Sequence, residues 1–166
     1  VVQSNIEDYS TKEKFDYIFI PSGSISLFTD ISVCEKILHK IKNLLNIGGK
    51  FVFAVDTITN RCPNDNDYKI SKIVSTKEGF KLILKSKNYY DESTQTQSSP
   101  SIYELCDNEK ILESEKMDFK THLYRWGEME NYLKKTGFTS IITYSSFSKK
   151  TVINEQSEMF LFECQL

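Results

Sequence analysis

Two short apolar strands that flank one amphipathic helix limit the folds open to this chain. The strands are Phe15–Ile20 and Lys50–Val55 (KFVFAV), and a continuous apolar run predicts a strand buried on both faces. The intervening segment has apolar residues at helical spacing: Ile31, Cys34, Ile37, Leu38, Ile41, Leu44 and Leu45. We therefore expect a βαβ unit with parallel strands and a right-handed crossover.

The boundaries of this unit carry recognisable signals. Thr29 or Asp30 is suited to cap the start of the helix. The sequence Asn46–Gly49 predicts its end, with glycine in a left-handed cap. The first strand stops abruptly at Pro21–Ser24. Because ligands bind outside the carboxyl ends of strands in open α/β sheets, this break is a candidate site; the alternative is an ordinary turn.

The middle of the chain, residues 58–126, differs in character, and we expect an antiparallel insertion there. It begins with a loop over residues 58–68, and Tyr89–Pro100 is a polar segment expected to be mobile. Four segments are predicted to be strands: Tyr68–Ser75, Phe80–Lys87, Ser101–Cys106 and Ile111–Trp126. The first two are predicted to form a hairpin.

Regular α/β structure is expected to resume after the insertion. Gly127–Lys135 predicts a helix with Gly137 at its cap. Phe138–Tyr144 and Glu158–Gln165 predict strands, joined by a polar connection over Ser145–Asn154. The expected organisation is a core from segments 1–57 and 127–166, interrupted by the insertion 58–126 as a substrate cap.

Composition excludes several classes of function. The chain has 166 residues, a net charge of −2 and 39% hydrophobic residues, which predicts one folded domain and gives no electrostatic case for nucleic acid. No apolar run reaches the roughly 20 residues of a membrane span. The four cysteines form no CxxC pair and the two histidines are far apart. We expect free thiols in a reducing cytoplasm and no metal site.

The order of these elements resembles the C-terminal half to two-thirds of class I S-adenosylmethionine-dependent methyltransferases. The resemblance is carried by KFDYIFIPSGSISLF (14–28), LLNIGGKFVFAVDT (44–57), ENYLKKTGFTSI (130–141) and EMFLFEC (158–164). It implies a partial Rossmann-like α/β fold with the last strand antiparallel inside the sheet. The family's glycine-rich turn and its ribose-binding acidic residue are absent, and the chain begins at Val1. We expect a fragment that is inactive alone.

The resemblance also implies site residues. S-adenosylmethionine is the implied cofactor, with adenine near Asn5 and Ile6 and the methionine portion near Ile20, Pro21, Ser22 and Gly23. The alternative for Asn5 is an ordinary loop residue.

A second group of residues is expected on the acceptor side. Tyr103 and His122 are the candidate general bases, and Phe28, Tyr124 and Arg125 are candidate substrate-binding residues. The alternatives are a core position for Phe28 and water-facing positions on alternating strands for the others.

The expected function is methyl transfer to nitrogen or oxygen of a small molecule. Two alternatives stay open: a non-catalytic methyltransferase-like module that acts in dimerisation or binding, and another Rossmann-like, nucleotide-dependent enzyme. Without a neighbour, Phe15–Ile20 would form an open apolar edge, which native proteins avoid. We expect a second copy or a missing N-terminal segment to cover it.

Overall fold

The computed structural model describes residues 1–149 and 154–166, so part of the polar connection expected at Ser145–Asn154 lies outside the described residues. The chain forms two compact units, Val1–Asn60 with His122–Leu166, and Arg61–Thr121. We call them the core unit and the insertion unit.

Nine strands and two helices make up the described chain. The strands are β1 (Phe15–Ile20), β2 (Leu45–Asp56), β3 (Lys69–Ser75), β4 (Lys81–Ser86), β5 (Tyr89–Asp91), β6 (Thr96–Asp107), β7 (Lys110–His122), β8 (Ser140–Tyr144) and β9 (Met159–Gln165). The helices are α1 (Ile31–Leu44) and α2 (Glu128–Thr136), with short 3₁₀ helices at Ser24–Leu27 and Ile58–Asn60.

The sheet of the core unit has the strand order β1-β2-β9-β8. β1 and β2 are parallel, with Phe19 opposite Val52. β9 is antiparallel to both of its neighbours, β2 and β8. The structure therefore confirms the βαβ unit and the antiparallel last strand inside the sheet.

The start of α1 was predicted correctly, and its end was not. The Asp30 side chain accepts a hydrogen bond from the Ser32 backbone N–H at 2.8 Å, as an N-cap does. The helix ends at Leu44 without a glycine cap, and β2 begins at once. Gly49 lies inside β2, where a Cβ would stand 2.9 Å from the Phe15 carbonyl oxygen. Glycine is needed here for the close approach of two backbones at the register shift between β1 and β2.

The expectation that β1 is buried on both faces is wrong. Tyr17 and Phe19 are 54% and 62% exposed, whereas Ile18 and Ile20 pack against the core. Among the strands of the described residues, β1 pairs with β2 only, so it is an edge strand. One face of β1 therefore packs against the core, and the side chains on its other face are exposed.

Aromatic side chains from β2 and β9 form the centre of the core. The Phe53 ring lies 4.5 Å from the Phe51 ring and 5.1 Å from the Phe162 ring, measured between centroids. Helix residues, including Leu38 from α1 and Leu133 from α2, join this cluster. The helix α2 ends at Gly137, which has φ +95°, so the predicted glycine cap is confirmed.

The insertion unit is a five-stranded sheet. Its order is β3-β4-β6-β5, and β7 also pairs with β6. The predicted hairpin is confirmed, because β3 and β4 are antiparallel. The prediction of a mobile Tyr89–Pro100 segment is wrong: the segment contains β5 and the start of β6. The Gln97 side chain in this segment is well paired: its amide nitrogen donates to the Tyr89 carbonyl at 3.1 Å and its oxygen accepts from the Cys62 backbone N–H at 3.0 Å.

Candidate functional site

The carboxyl ends of the parallel strands β1 and β2 are held together by one buried serine. The Asp56 backbone N–H, at the end of β2, donates to the Ser26 hydroxyl oxygen at 2.9 Å. Ser26 is fully buried in the short helix that follows the β1 break. We call the segment Ile20–Ser26 together with Asp56 and Thr57 the carboxyl-end site.

The backbone of this site turns sharply at two successive residues. Ser22 and Gly23 have φ of +57° and +66°, in the left-handed region. The Pro21 carbonyl closes the turn by accepting from the Ser24 backbone N–H at 3.2 Å and from its hydroxyl at 2.9 Å. The turn brings Gly23 so close to Asp56 that a Cβ would lie 3.2 Å from Oδ2. The break after β1 therefore presents backbone, rather than side chains, beside a carboxylate.

The Asp56 carboxyl group is electrostatically unusual. Burial raises its pKa above the ordinary value, and a hydrogen bond from the Asn60 side chain offsets part of that effect. Burial disfavours the charged form. Perturbed carboxyl groups of this kind are concentrated at functional sites, which adds Asp56 to the candidate residues.

A second polar cluster surrounds Glu128, in the first turn of α2. Its Oε1 lies 3.1 Å from His122 Nε2 and accepts from the Tyr132 hydroxyl at 3.3 Å. Its Oε2 accepts from the Arg125 backbone N–H at 3.0 Å. Burial, followed by the Glu128 charge, raises the pKa of Tyr132 to about 12. We call His122, Tyr124, Glu128, Tyr132 and Cys34 the Glu128 cluster.

Tyr124 joins the Glu128 cluster to the carboxyl-end site. Its backbone N–H donates to the Asp56 carbonyl at 2.9 Å, and its own carbonyl accepts from the Ile58 N–H at 3.1 Å. Its side chain is fully buried, with the hydroxyl 3.5 Å from the Cys34 sulfur and the ring 4.5 Å from the His122 ring. Burial raises the pKa of both the Tyr124 hydroxyl and the Cys34 thiol.

The sequence-predicted residues lie on several elements of the chain. Ile20–Gly23 form the carboxyl-end site, and His122 and Tyr124 lie in the Glu128 cluster, both in the core unit. Arg125 is exposed and contributes its backbone N–H to the cluster. Tyr103 lies on β6 of the insertion unit, opposite Leu84 of β4.

The remaining predicted residues lie near the start of the chain and before α1. Asn5 is in an exposed turn, where its carbonyl accepts from the Asp8 and Tyr9 N–H groups. Ile6 and Phe28 are partly buried against the core. The binding roles inferred for these three residues stay predictions.

Sequence reasoning did not select four residues that the geometry singles out: Ser26, Asp56, Glu128 and Tyr132. Asp56 had a visible signal, because it ends a strand at the predicted ligand-binding edge. Glu128 follows Gly127 at the start of a helix. In the sequence it looks like an ordinary acidic residue in the first turn of a helix. Its contact with His122 depends on the fold and gives no local pattern.

Within residues 1–149 and 154–166, no group of three His, Cys, Asp or Glu side chains is arranged to hold a metal ion. No helix of the described chain has the length and apolar character needed to cross a bilayer.

Comparison with known proteins identifies the fold. No family model and no curated protein matches the chain. An S-adenosylmethionine-dependent methyltransferase from Clostridium acetobutylicum superposes on 99% of the chain with a TM-score of 0.73 and 17% identity. The chain has the class I methyltransferase fold. It covers 63% of the length of that Clostridium protein.

Two further solved structures share the methyltransferase fold. A sugar N-methyltransferase from a Streptoalloteichus species matches 96% of the chain, which covers 60% of that protein, with a TM-score of 0.71 and 14% identity. An amino pentose methyltransferase from Micromonospora echinaspora, solved with S-adenosylmethionine bound, matches 98% of the chain, which covers 63% of that protein, at a TM-score of 0.66 and 10% identity. The methyltransferase fold thus extends over nearly all of this chain.

Proposed function

We propose that this chain is part of a S-adenosylmethionine-dependent methyltransferase that acts on a nitrogen or oxygen of a small molecule. The observation that carries the proposal is the match of 99% of the chain to a methyltransferase structure. Two other matched proteins are a sugar N-methyltransferase and an amino pentose methyltransferase. The names of these two proteins favour a sugar-like molecule as the methyl acceptor of this chain.

The proposed cofactor contacts lie at the carboxyl-end site. S-adenosylmethionine supplies a methyl group already activated by its positive sulfur. The turn at Pro21–Gly23 suits a close approach of the methionine portion, because it presents backbone at the carboxyl end of β1. The nearby Asp56 carboxylate adds negative charge where a sulfonium would be favoured. Asn5 and Ile6 are proposed for adenine.

The proposed acceptor chemistry centres on the core unit. Methyl transfer requires alignment of the acceptor atom and removal of one proton from it. His122 is the proposed base, because an imidazole is well suited to accept a proton near neutral pH. Tyr103 remains a second candidate base, and Phe28, Tyr124 and Arg125 remain candidates for holding the acceptor.

One observation favours a second function, a non-catalytic binding or dimerisation module. The open edge of β1 borders an apolar groove of about 350 Å³. Its lining includes Tyr17, Phe19 and Ile41. An uncovered apolar edge strand pairs readily with another strand. A second copy or a preceding segment of the same polypeptide is the proposed occupant.

Calorimetric titration with S-adenosylmethionine and S-adenosylhomocysteine tests the proposed function. It is performed on this chain and on any longer natural version. Binding by the longer form alone would support a methyltransferase that needs a further segment. Binding by this chain would show that the carboxyl-end site is sufficient. Absence of binding by both would reject the proposed activity and favour the binding module.

A further inference from the structure

A groove rich in positive charge lies between the loop that precedes β1 and one face of α1. Its volume is about 500 Å³, and its lining includes three lysines and a histidine: Lys14, Lys36, His39 and Lys40. We call it the basic groove. None of the nine described residues that line it is acidic. Because the whole chain has a net charge of −2, this concentration of positive charge is a local feature of the surface.

Helical spacing places the cations of α1 on one side of the helix. Lys36, His39 and Lys40 are three and four positions apart, so their side chains leave the same face. The opposite face is buried in the core through residues such as Leu38 and Ile41. Like charges four positions apart on a helix repel each other. An anion bound between Lys36 and Lys40 would relieve that repulsion.

The cations of the basic groove have no acidic partner in the part of the chain that the structure describes. None of the four forms an ion pair there. Lysines elsewhere in the chain do form ion pairs; Lys50, for example, lies 2.6 Å from Glu163. The positive charge of the groove is therefore not neutralised by the described carboxylates.

Two of the lysines are held in place by neutral groups. The Lys14 ammonium donates to the Asn43 carbonyl, and the Lys40 ammonium donates to the Glu7 carbonyl. An ammonium group has three hydrogens, so each lysine keeps further donors for a ligand. A carbonyl has no net charge, so these contacts orient the two ammonium groups and leave their charge available.

Hydroxyl groups add neutral donors to the basic groove. Ser10 and Thr11 both line it. The Thr11 hydroxyl oxygen accepts from the Glu13 backbone N–H at 3.1 Å, so its own hydrogen can donate to a ligand. Ammonium donors form strong, charge-assisted hydrogen bonds with phosphate oxygens. Several cations and hydroxyl donors together suit a phosphate group, which carries up to two negative charges.

The basic groove also has an apolar side. Tyr9 and Leu44 line it, and both also line the apolar groove beside β1. A volume of about 500 Å³ is within the range of small-molecule sites. The groove therefore has room for a carbon skeleton attached to the phosphate, with an aromatic ring and an aliphatic side chain to contact it.

We propose that the basic groove binds a small organic phosphate, with its phosphate group held by Lys14, Lys36 and Lys40 and its carbon skeleton against Tyr9 and Leu44. The groove lies at the amino end of β1, because Lys14 directly precedes that strand. The carboxyl-end site lies at the other end. The inference goes beyond the proposed function and does not depend on it.

Titration of the ¹⁵N-labelled protein with phenyl phosphate, followed by ¹H–¹⁵N correlation spectra, tests the inference. This probe carries a phosphate and a ring but no adenine, so it is not an analogue of S-adenosylmethionine. We expect saturable shifts of the backbone amides of Thr11, Lys14, Lys36 and Asn43. Inorganic phosphate should shift the same amides with weaker affinity, and benzyl alcohol, which has a ring but no charge, should not shift them.

A double variant, Lys36→Gln with Lys40→Gln, measures the contribution of the charges. It should weaken binding of phenyl phosphate by about tenfold, since each exposed charge contact is worth up to about 1 kcal/mol. The matched control is Lys72→Gln with Lys116→Gln, which removes the same charge from exposed positions of the insertion unit and should leave the affinity unchanged. Circular dichroism confirms that both variants are folded.

Several results would overturn the inference. Wild-type spectra without saturable shifts, or with shifts confined to other parts of the chain, would reject the site even if the double variant fails to fold. Equal weakening by both double variants would show attraction to net charge alone. Equal affinity for phenyl phosphate and inorganic phosphate would reject an organic ligand. Calorimetry with S-adenosylhomocysteine tests the proposed function separately, and its failure would leave this inference standing.

Discussion

Gly23 lies against the carboxylate of Asp56, so that a Cβ on Gly23 would come within 3.2 Å of Oδ2. The two residues follow different strands, and the parallel pairing of β1 with β2 brings their carboxyl ends to one edge. Gly23 also has φ +66°, a conformation that side chains with a Cβ rarely adopt. Both constraints act on the same residue of the carboxyl-end site.

Gly23→Ala is expected to lower the free energy of unfolding by about 1–2 kcal/mol, the usual cost of a left-handed conformation for a residue with a Cβ. The added methyl group also displaces the Asp56 carboxylate by a few tenths of an ångström, since 3.2 Å is shorter than ordinary van der Waals contact. Urea denaturation followed by circular dichroism measures the loss.

Gly48→Ala is the matched control for this substitution. Gly48 has φ +77°, and a Cβ there meets nothing within 4 Å. It should therefore show the backbone cost without the carboxylate contact. A larger loss for Gly23→Ala than for Gly48→Ala would measure the contact with Asp56. Equal losses would contradict a structural role for that contact.

Much of the core could be predicted because local patterns and packing agree there. The helical spacing of Ile37, Leu38 and Ile41 predicted a buried face, and all three are at most 1% exposed. Asp30 predicted the start of α1 because a side-chain cap is a local interaction. The order of strands followed from a family resemblance, which the fold confirms.

Features that depend on contacts between residues far apart in the sequence could not be predicted in the same way. Gly48–Gly49 looked like a helix cap, but both residues lie inside β2, and at Gly49 it is the close approach of the β1 backbone that requires a glycine. The polar segment that includes Gln97 looked mobile, yet its amide is satisfied by backbone groups that only the folded sheet supplies. The contact between His122 and Glu128 joins a strand to a helix. In each case the decisive partner is absent from the local sequence.

Asp56→Asn is expected to stabilise the protein at pH 7. Burial raises the pKa of Asp56 in the folded state above the ordinary value of 3.8. The folded state therefore holds the proton more tightly than the unfolded state, and stability falls as the pH rises through the raised pKa. The gain from Asp56→Asn should be present at pH 7 and should shrink as the pH is lowered below that pKa.

Urea denaturation of both proteins at several pH values checks this dependence. Glu109→Gln changes an exposed acid in the insertion unit and serves as the control, with an expected change of less than about 0.5 kcal/mol. An Asp56→Asn variant that is less stable than wild type at pH 7 would contradict the expected sign. It would show that the charged carboxylate makes a favourable contact.

Cys62 is expected to be the one fast-reacting thiol among the four cysteines. Cys34, Cys106 and Cys164 are buried, while Cys62 is partly exposed. Burial also raises the pKa of Cys164 to about 12, which lowers its thiolate fraction. Titration with a chromogenic disulfide at pH 8 should show one fast equivalent in the folded chain and four in denaturant.

Cys62→Ser tests the assignment of the fast thiol. It should abolish the fast phase and leave the slow reaction of the other three residues unchanged. A fast phase that survives in Cys62→Ser would show that one of the buried thiols is accessible. That result would contradict the burial of the cysteine concerned.

Phe19→Lys is expected to reduce self-association through the open edge of β1. Phe19 is 62% exposed on this edge strand, and charged residues on an edge oppose pairing with another strand. Sedimentation velocity over a range of concentrations should show association of the wild type that the substitution weakens.

Phe147→Lys is the matched control, because Phe147 is 70% exposed but lies outside the strands. An effect of equal size for both variants would indicate general hydrophobic association, and a wild type that stays monomeric would reject a second copy as the occupant of the edge.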